Sequence, residues 1–470
     1  MMKKKILVNG ISSETGKMLV PPIDEEEFRS YIRDGLLKKR ETLVPYYKKI
    51  GRMSHARMFA ASLLTPHEEE PKEAGWGLII NKDEDKRVFE VLQDLIEHRN
   101  GKVIYYEGEE RLEEWINKNQ LEKEAPFYLL IVGSPQKIPF EFQYLLDSRF
   151  AVGRIYFETL EEYTNYVNTV IDYENGKINP VSKRAVFFAT DGGYGDATYL
   201  SHNFMIGPLV QLAKEEGYEV DYLEADKATE RNLKEAVSAG NKRPAFIYTA
   251  SHGLGCPTWR PDQEYLQGAL CCQDFHFAPF KNVKPDDGLL TGYDIGDDFN
   301  AYTSIWFAFA CFGAGTPRYS EFAHWVAGQG LEECQGKRDF IAYLPMKMLG
   351  YKKPALAFVG HIDPAWVHSF MTPSDEAPEN WASRLLPFEV AVKYILNGLP
   401  VGYACKKFGE NYSVLSILLL QIVRDYERSR EMGLPVIDPY WDIRLTNIWI
   451  TRNDCQNYVI LGDPAVRVRL

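Results

Sequence analysis

The chain has 470 residues, 45% of them hydrophobic and 13% aromatic, and a formal net charge of -12. That is ample apolar material for a large core, and the length points to two or three packed domains. An acidic surface repels phosphate backbones and anionic lipid, which disfavours nucleic acid and membranes as main partners and weakly favours basic peptides.

Seven cysteines, at positions 256, 271, 272, 311, 334, 405 and 455, lack the paired spacing of a disulfide framework. Near the start, the apolar piece Ile6-Leu7-Val8 is interrupted by Asn9 and Gly10. A signal peptide needs roughly 7–15 apolar residues. The most apolar helical stretch, Val414 to Val423, falls short of the ~20 residues that span a bilayer. A cytoplasmic chain without membrane insertion is expected.

Residues 1–74 read as an N-terminal segment with a short strand at Ile6 to Val8 and a helix from Glu25 to Lys39. Its role stays open between inhibition, docking and plain packing. His67 to Gly75, rich in charge, reads as a solvated linker. Residues 75–180 then alternate strand and helix. Strands are expected at Gly77 to Ile80, Val103 to Tyr106 and Phe127 to Val132, with helices through Val88 to Ile96, Leu112 to Asn119 and Leu160 to Tyr173.

A second alternation fills residues 181–470. Strands are expected at Ala185 to Ala189, Tyr218 to Leu223, Ala245 to Ala250, Ser304 to Ala310, Ala355 to Val359 and Tyr458 to Leu461. Amphipathic helices separate them, including Ile206 to Ala213, a Thr229-capped helix, Phe388 to Leu396 and Tyr412 to Tyr426. Short buried strands between helices imply a parallel sheet covered on both faces, so the fold class is α/β.

Two strands end in chemistry-bearing residues. FIYTA runs into Ser251-His252-Gly253, and SIWFAFA runs into Cys311-Phe312-Gly313-Ala314-Gly315. In an open parallel sheet, functional groups collect beyond the C-terminal ends of strands. If these strands are neighbours, His252 and Cys311 emerge side by side. A thiol nucleophile and an imidazole supply both the attack and the proton that a leaving amine needs. The N–H groups of Gly253 and Cys311 are candidates for an oxyanion hole, worth about 3–4 kcal/mol per donor. The competing reading is an ordinary buried cysteine and a loop histidine.

FIYTASHG followed by IWFAFACFGAG resembles the caspase-fold cysteine peptidases, which include caspases, gingipains, clostripain, separase and bacterial CHAT peptidases. The gingipain branch fits best. FYLLIVGSPQKIP with DSRFAVGRI, residues 127–155, resembles the segment preceding that family's caspase-like half, and NYVILGDPAVRVRL, residues 457–470, resembles its final strand. The resemblance covers about residues 76–470. It implies a caspase-like parallel sheet flanked by helices, preceded by a smaller α/β subdomain, and cysteine endopeptidase activity on protein substrates without a required cofactor. Gingipains carry a signal, a pro-segment and trailing domains that are not evident here. That departure favours an intracellular, regulated peptidase, by analogy an effector of bacterial defence or cell death that answers to an activating partner.

The loop Asp191 to Asp196 sits where such enzymes place residues of the primary specificity pocket. Asp191 or Asp196 could select arginine or lysine before the cut, or orient His252; turn or cap carboxylates are the plainer alternative. Trp259 and Trp366 are candidate cleft walls, with plain packing an equal reading for Trp366. His361 and His368 follow no strand with a glycine and read as core or surface residues. Asp286, Asp287, Asp294, Asp297 and Asp298 form an acidic stretch that could take Ca²⁺ or simply be solvated. Cys256, Cys271, Cys272 and His276 lack the spacing of common zinc sites, and no metal is expected there. The alternative function is a catalytically silent caspase-like scaffold or regulatory module. Iodoacetamide is expected to separate the two, because a reactive peptidase should label first at Cys311.

Overall fold

The computed structural model describes residues 5–38, 67–108, 115–116, 118–119, 125–238, 242–277, 288–322, 335–373, 381–434 and 440–470. Ten strands form its main sheet: β1 (Trp76–Asn81), β2 (Lys102–Tyr106), β3 (Tyr128–Val132), β4 (Ala151–Ile155), β5 (Ser182–Ala189), β6 (Glu219–Glu224), β7 (Pro244–Ala250), β8 (Ile305–Phe309), β9 (Ala357–His361) and β10 (Tyr458–Gly462). Every residue of β3, β4, β7, β8, β9 and β10 is buried. Strands buried along their whole length are what a sheet covered on both faces produces.

The spatial order is β2-β1-β3-β4-β10-β9-β8-β7-β5-β6. All neighbours are parallel except β9 and β10. The two alternating units therefore share one continuous sheet, and their strands run in opposite directions on either side of that one antiparallel seam. The last strand of the chain fills the place between them. The α/β fold class, with a largely parallel sheet flanked by helices, is thus observed.

Helices arise where capping chemistry allows. We number those used below: α1 (Glu25–Lys38), α2 (Lys86–Arg99), α3 (Leu160–Glu174), α4 (Lys406–Glu431) and α5 (Trp441–Gln456). The Asp85 carboxylate accepts the Arg87 N–H at the start of α2, and Asn100, at φ 49°, ends it in the left-handed region. Thr159 and Glu162 form a reciprocal capping box on α3. The end of α2 also ties the first unit to the end of β10. Arg99 reaches Glu174 of α3 at 2.6 Å and Asp463, just past β10, at 2.8 Å. Trp76 donates its indole N–H to the same Asp463 at 2.9 Å.

Residues 5–24 are not an appendage. Lys5–Ile6 pairs antiparallel with Ile23–Asp24, and Ile11–Ser12 joins a four-stranded sheet alongside Leu254 and Gly255. Phe28 of α1 packs on Trp366 and Trp449, with ring centroids 5.7 and 6.2 Å apart. The stretch read as a solvated linker is exposed for the most part, yet it forms a helical turn at Pro71–Ala74, and Glu70 pairs with Arg467 at 3.0 Å. Half of the helix expected at Leu112 to Asn119 lies outside the described residues.

Asp463→Ala removes a fully buried carboxylate and strands both Arg99 and the Trp76 N–H. Because Arg99 keeps Glu174, we expect a loss near the low end for a broken buried pair, about 3 kcal/mol, read by urea unfolding at neutral pH.

Candidate active site

The register of β7 on β8 sets the site. Ala250 lies opposite Phe309, and His252 and Cys311 each follow two residues beyond. Gly253 then packs directly on the next strand: a Cβ added there would fall 1.9 Å from the Cys311 carbonyl oxygen. Only glycine allows the two strand tips to come this close. Past the cysteine, Phe312 sits at φ 58°, an uncommon conformation for a bulky residue that costs about 1–3 kcal/mol. Hydrogen bonds from Phe312 N–H to the Asp363 carbonyl (3.3 Å) and from Ala314 N–H to the His361 carbonyl (3.0 Å) hold the turn.

The N-terminal segment runs between the two side chains. His252 Nδ1 accepts the Gly10 N–H at 2.8 Å, which fixes the neutral ring with its proton on Nε2. That Nε2–H faces the Asp196 carboxylate, at 2.9 Å from Oδ1 and 3.0 Å from Oδ2. Burial raises the Asp196 pKa, but the hydrogen bond and charge of His252, together with Thr198, outweigh it and leave the carboxyl below its ordinary value. On the other side, the Cys311 thiol donates to the Asn9 carbonyl, and Sγ accepts the Ala365 N–H at 3.1 Å.

Cys311 is fully buried, and burial pushes its thiol well above the usual range, with Asp363 and Asp454 adding to the rise and the Ala365 N–H opposing it. In this closed state the sulfur is a neutral thiol at neutral pH. The expectation that Cys311 labels first with iodoacetamide therefore needs correction for the intact chain, since access and thiolate are both withheld. The cysteines among the described residues are all free and all buried.

The remaining candidates fall in different places. Asp191 is turned away from His252: its Oδ1 accepts the Gly193 N–H at 2.8 Å, and Oδ2 lies 3.3 Å from His202. Trp259 is 59% exposed on a turn. Trp366 is fully buried, its ring tilted against Phe322 at 4.6 Å as well as packed on Phe28, so its indole is packing and its backbone is what meets the cleft. Among the described residues no three metal-capable side chains gather. Asp294 is taken by Lys234 at 2.7 Å, and Asp286 and Asp287 lie outside the described residues. A cavity lined by Asp147, Lys406, Tyr144 and Cys455 contains neither His252 nor Cys311.

Sequence reading missed the scaffold under the cleft. His361 and Asp454 of α5 face each other at 3.2 Å, and Asp454 also accepts the Trp366 N–H at 3.1 Å. Ser320 donates to Asp363 at 2.8 Å, while burial lifts the Asp363 carboxyl to about 7. These buried groups hold residues 361–369, and nothing local in the sequence announces partners some 90 positions apart. It also missed Asn9 and Gly10, whose only signal is that a polar, flexible pair breaks an apolar strand.

The geometry yields a check on the plug. Gly10 adopts φ +126°, and an added Cβ would meet Leu19 at 3.2 Å and Cys311 Sγ at 3.3 Å. Strain of about 1–3 kcal/mol in Gly10→Ala should expel the segment and speed Cys311 alkylation by about 5- to 150-fold, read by peptide mapping of iodoacetamide-treated protein. An unchanged rate would mean that the segment does not gate the thiol.

Comparison with known proteins bears on part of the chain. Residues 102–259 match the model of peptidase family C25, a stretch holding Asp196, His252 and Gly253 and ending before Cys311. No curated protein matches the chain. A solved structure described as "Structure of Protease" shares 13% identity at a TM-score of 0.47, covering 84% of this chain and 78% of that one. Through its residues 102–259 the chain is related to family C25, the gingipain family, and it is a cysteine-type endopeptidase.

Proposed function

We propose that Cys311 is the nucleophile, His252 the general acid and base, and Asp196 the residue that positions the imidazole. The observation that carries this reading is a peptide unit of the chain itself spanning the two side chains, carbonyl on the sulfur and N–H on the ring. A substrate held in that way needs no further group to reach both reacting atoms. Cys311 adds to the carbonyl carbon, His252 delivers the proton to the leaving nitrogen, and water resolves the thioester. The backbone N–H groups of Gly253 and Cys311 are assigned to the developing oxyanion. Asp196 keeps the Nε2–H tautomer, so that Nδ1 always faces the peptide.

The closed cleft supports a regulated enzyme rather than a constitutive one, with access as the controlled variable. Free thiols support a reducing compartment. Among the described residues no helix is long and apolar enough to cross a membrane. Basic selectivity before the cut loses its two sequence candidates to other partners, Asp196 to His252 and Asp191 to His202.

A positional-scanning peptide library, run on wild type and Gly10→Ala, tests the assignment. Cys311→Ala should abolish turnover, and His252→Ala should lower kcat/KM by about 10²–10⁴-fold. Asp196→Asn should lower kcat and alter the pH profile while sparing KM, as expected of a positioning group. Full activity in Cys311→Ala would rule the assignment out. Silence in both wild type and Gly10→Ala would favour the scaffold alternative.

A further inference from the structure

The segment in the cleft is gripped on both sides of a single peptide unit. Before it, the Asn9 N–H donates to the Ala365 carbonyl at 2.9 Å, the Val367 N–H donates to the Leu7 carbonyl at 3.2 Å, and Val8 bridges Trp366 antiparallel. After it, Ile11 and Ser12 pair in parallel with Leu254 and Gly255, and the Ser13 N–H donates to the Gly255 carbonyl at 2.8 Å. Strand addition of this kind is how extended peptides are bound, with main-chain bonds for affinity and pockets for selectivity. The unit between the two grips is Asn9–Gly10, the one that spans Cys311 and His252.

The side chains along this strip define the pockets. Ile6, Leu7 and Val8 are buried apolar residues. Asn9 is 1% exposed, and its amide has no hydrogen-bond partner among the described residues. That site is closed around an uncharged side chain; an arginine or lysine there would bury a cation, which is costly without a dedicated partner. On the far side of the bond, the closeness of Leu19 and Cys311 Sγ to Gly10 admits glycine alone on this path.

We propose that Asn9–Gly10 is the chain's own processing bond, and that the site prefers an uncharged residue over a cation before the cut, preceded by apolar residues and followed by glycine. This rests on the cysteine-peptidase reading above. The Asn9 carbonyl carbon lies one bond beyond the sulfur contact, so a small rotation of that unit presents it for attack. The C–S bond forms as the thiol proton passes to His252 Nδ1. The Asn9–Gly10 C–N bond breaks as that proton moves to the Gly10 nitrogen, which leaves as a new amino terminus. Water then cleaves the thioester, giving the Asn9 carboxyl group and restoring the thiol.

Intact mass and N-terminal sequencing of full-length wild type, Cys311→Ala and Asn9→Arg test the bond. The reporters Ile-Leu-Val-Asn-aminocoumarin and Ile-Leu-Val-Arg-aminocoumarin test the selectivity. Wild type should acquire a terminus at Gly10 while both variants stay whole, and the asparagine reporter should be favoured by at least about tenfold. A wild-type chain that stays whole at this bond overturns processing, whichever reporter it prefers. Preference for the arginine reporter overturns the selectivity while leaving a working peptidase. If neither wild type nor Gly10→Ala hydrolyses any peptide, the peptidase reading fails first and takes this inference with it.

Discussion

Everything at the site depends on the register between β7 and β8. Two parallel strands locked with Ala250 opposite Phe309 deliver residue 252 and residue 311 to the same level of one sheet edge. A slip of a single residue would send one of the two side chains to the opposite face. The register is protected by burial: every residue of both strands is inside, and Tyr248 stacks on Phe307 with ring centroids 4.9 Å apart. Gly253 completes the arrangement by letting the imidazole strand lie against the Cys311 carbonyl. The imidazole and the thiol are therefore positioned by core packing and need little from flexible loops.

Onto this edge the N-terminal segment adds what an enzyme must control, which is access. The same contacts that hold Asn9–Gly10 in the cleft keep Cys311 from solvent and its thiol neutral. On the proposed function, inhibition and substrate recognition are one set of interactions seen at two stages. The segment is anchored at both ends of its loop, through Lys5–Ile6 on Ile23–Asp24 and through Phe28 of α1 on Trp366 and Trp449. A cut within the loop would free a chain end without first dismantling α1, so release can be local.

Much of this was legible in the residues. The strands that carry His252 and Cys311 announced themselves because buried parallel strands are short, apolar and abruptly ended by glycine. The helix expected at Leu160 to Tyr173 is α3, Leu160–Glu174. What stayed hidden depends on distant partners. Ala151–Ile155 was quoted for its family likeness without being read as a strand, and α5 was missed because its buried face is rich in polar residues such as Thr446, Asn447, Arg452 and Asp454. No local pattern says that β10 closes the gap between two oppositely directed halves, so one continuous sheet looked like two units. For Trp366, cleft wall and plain packing stood as equal readings, and packing against α1 claims the indole while its backbone lines the groove. Likewise Asn9 looked like a strand-breaker, because its place between a thiol and an imidazole exists only in three dimensions.

The most direct measurement is of the Gly10 amide itself, in a Cys311→Ala chain labelled with ¹⁵N in glycine and histidine. The account requires a scalar coupling between the Gly10 nitrogen and a ring nitrogen of His252, carried through their hydrogen bond, and slow exchange of that amide with water. A Gly10 amide that exchanges as freely as an unfolded chain and shows no coupling to the ring would contradict it.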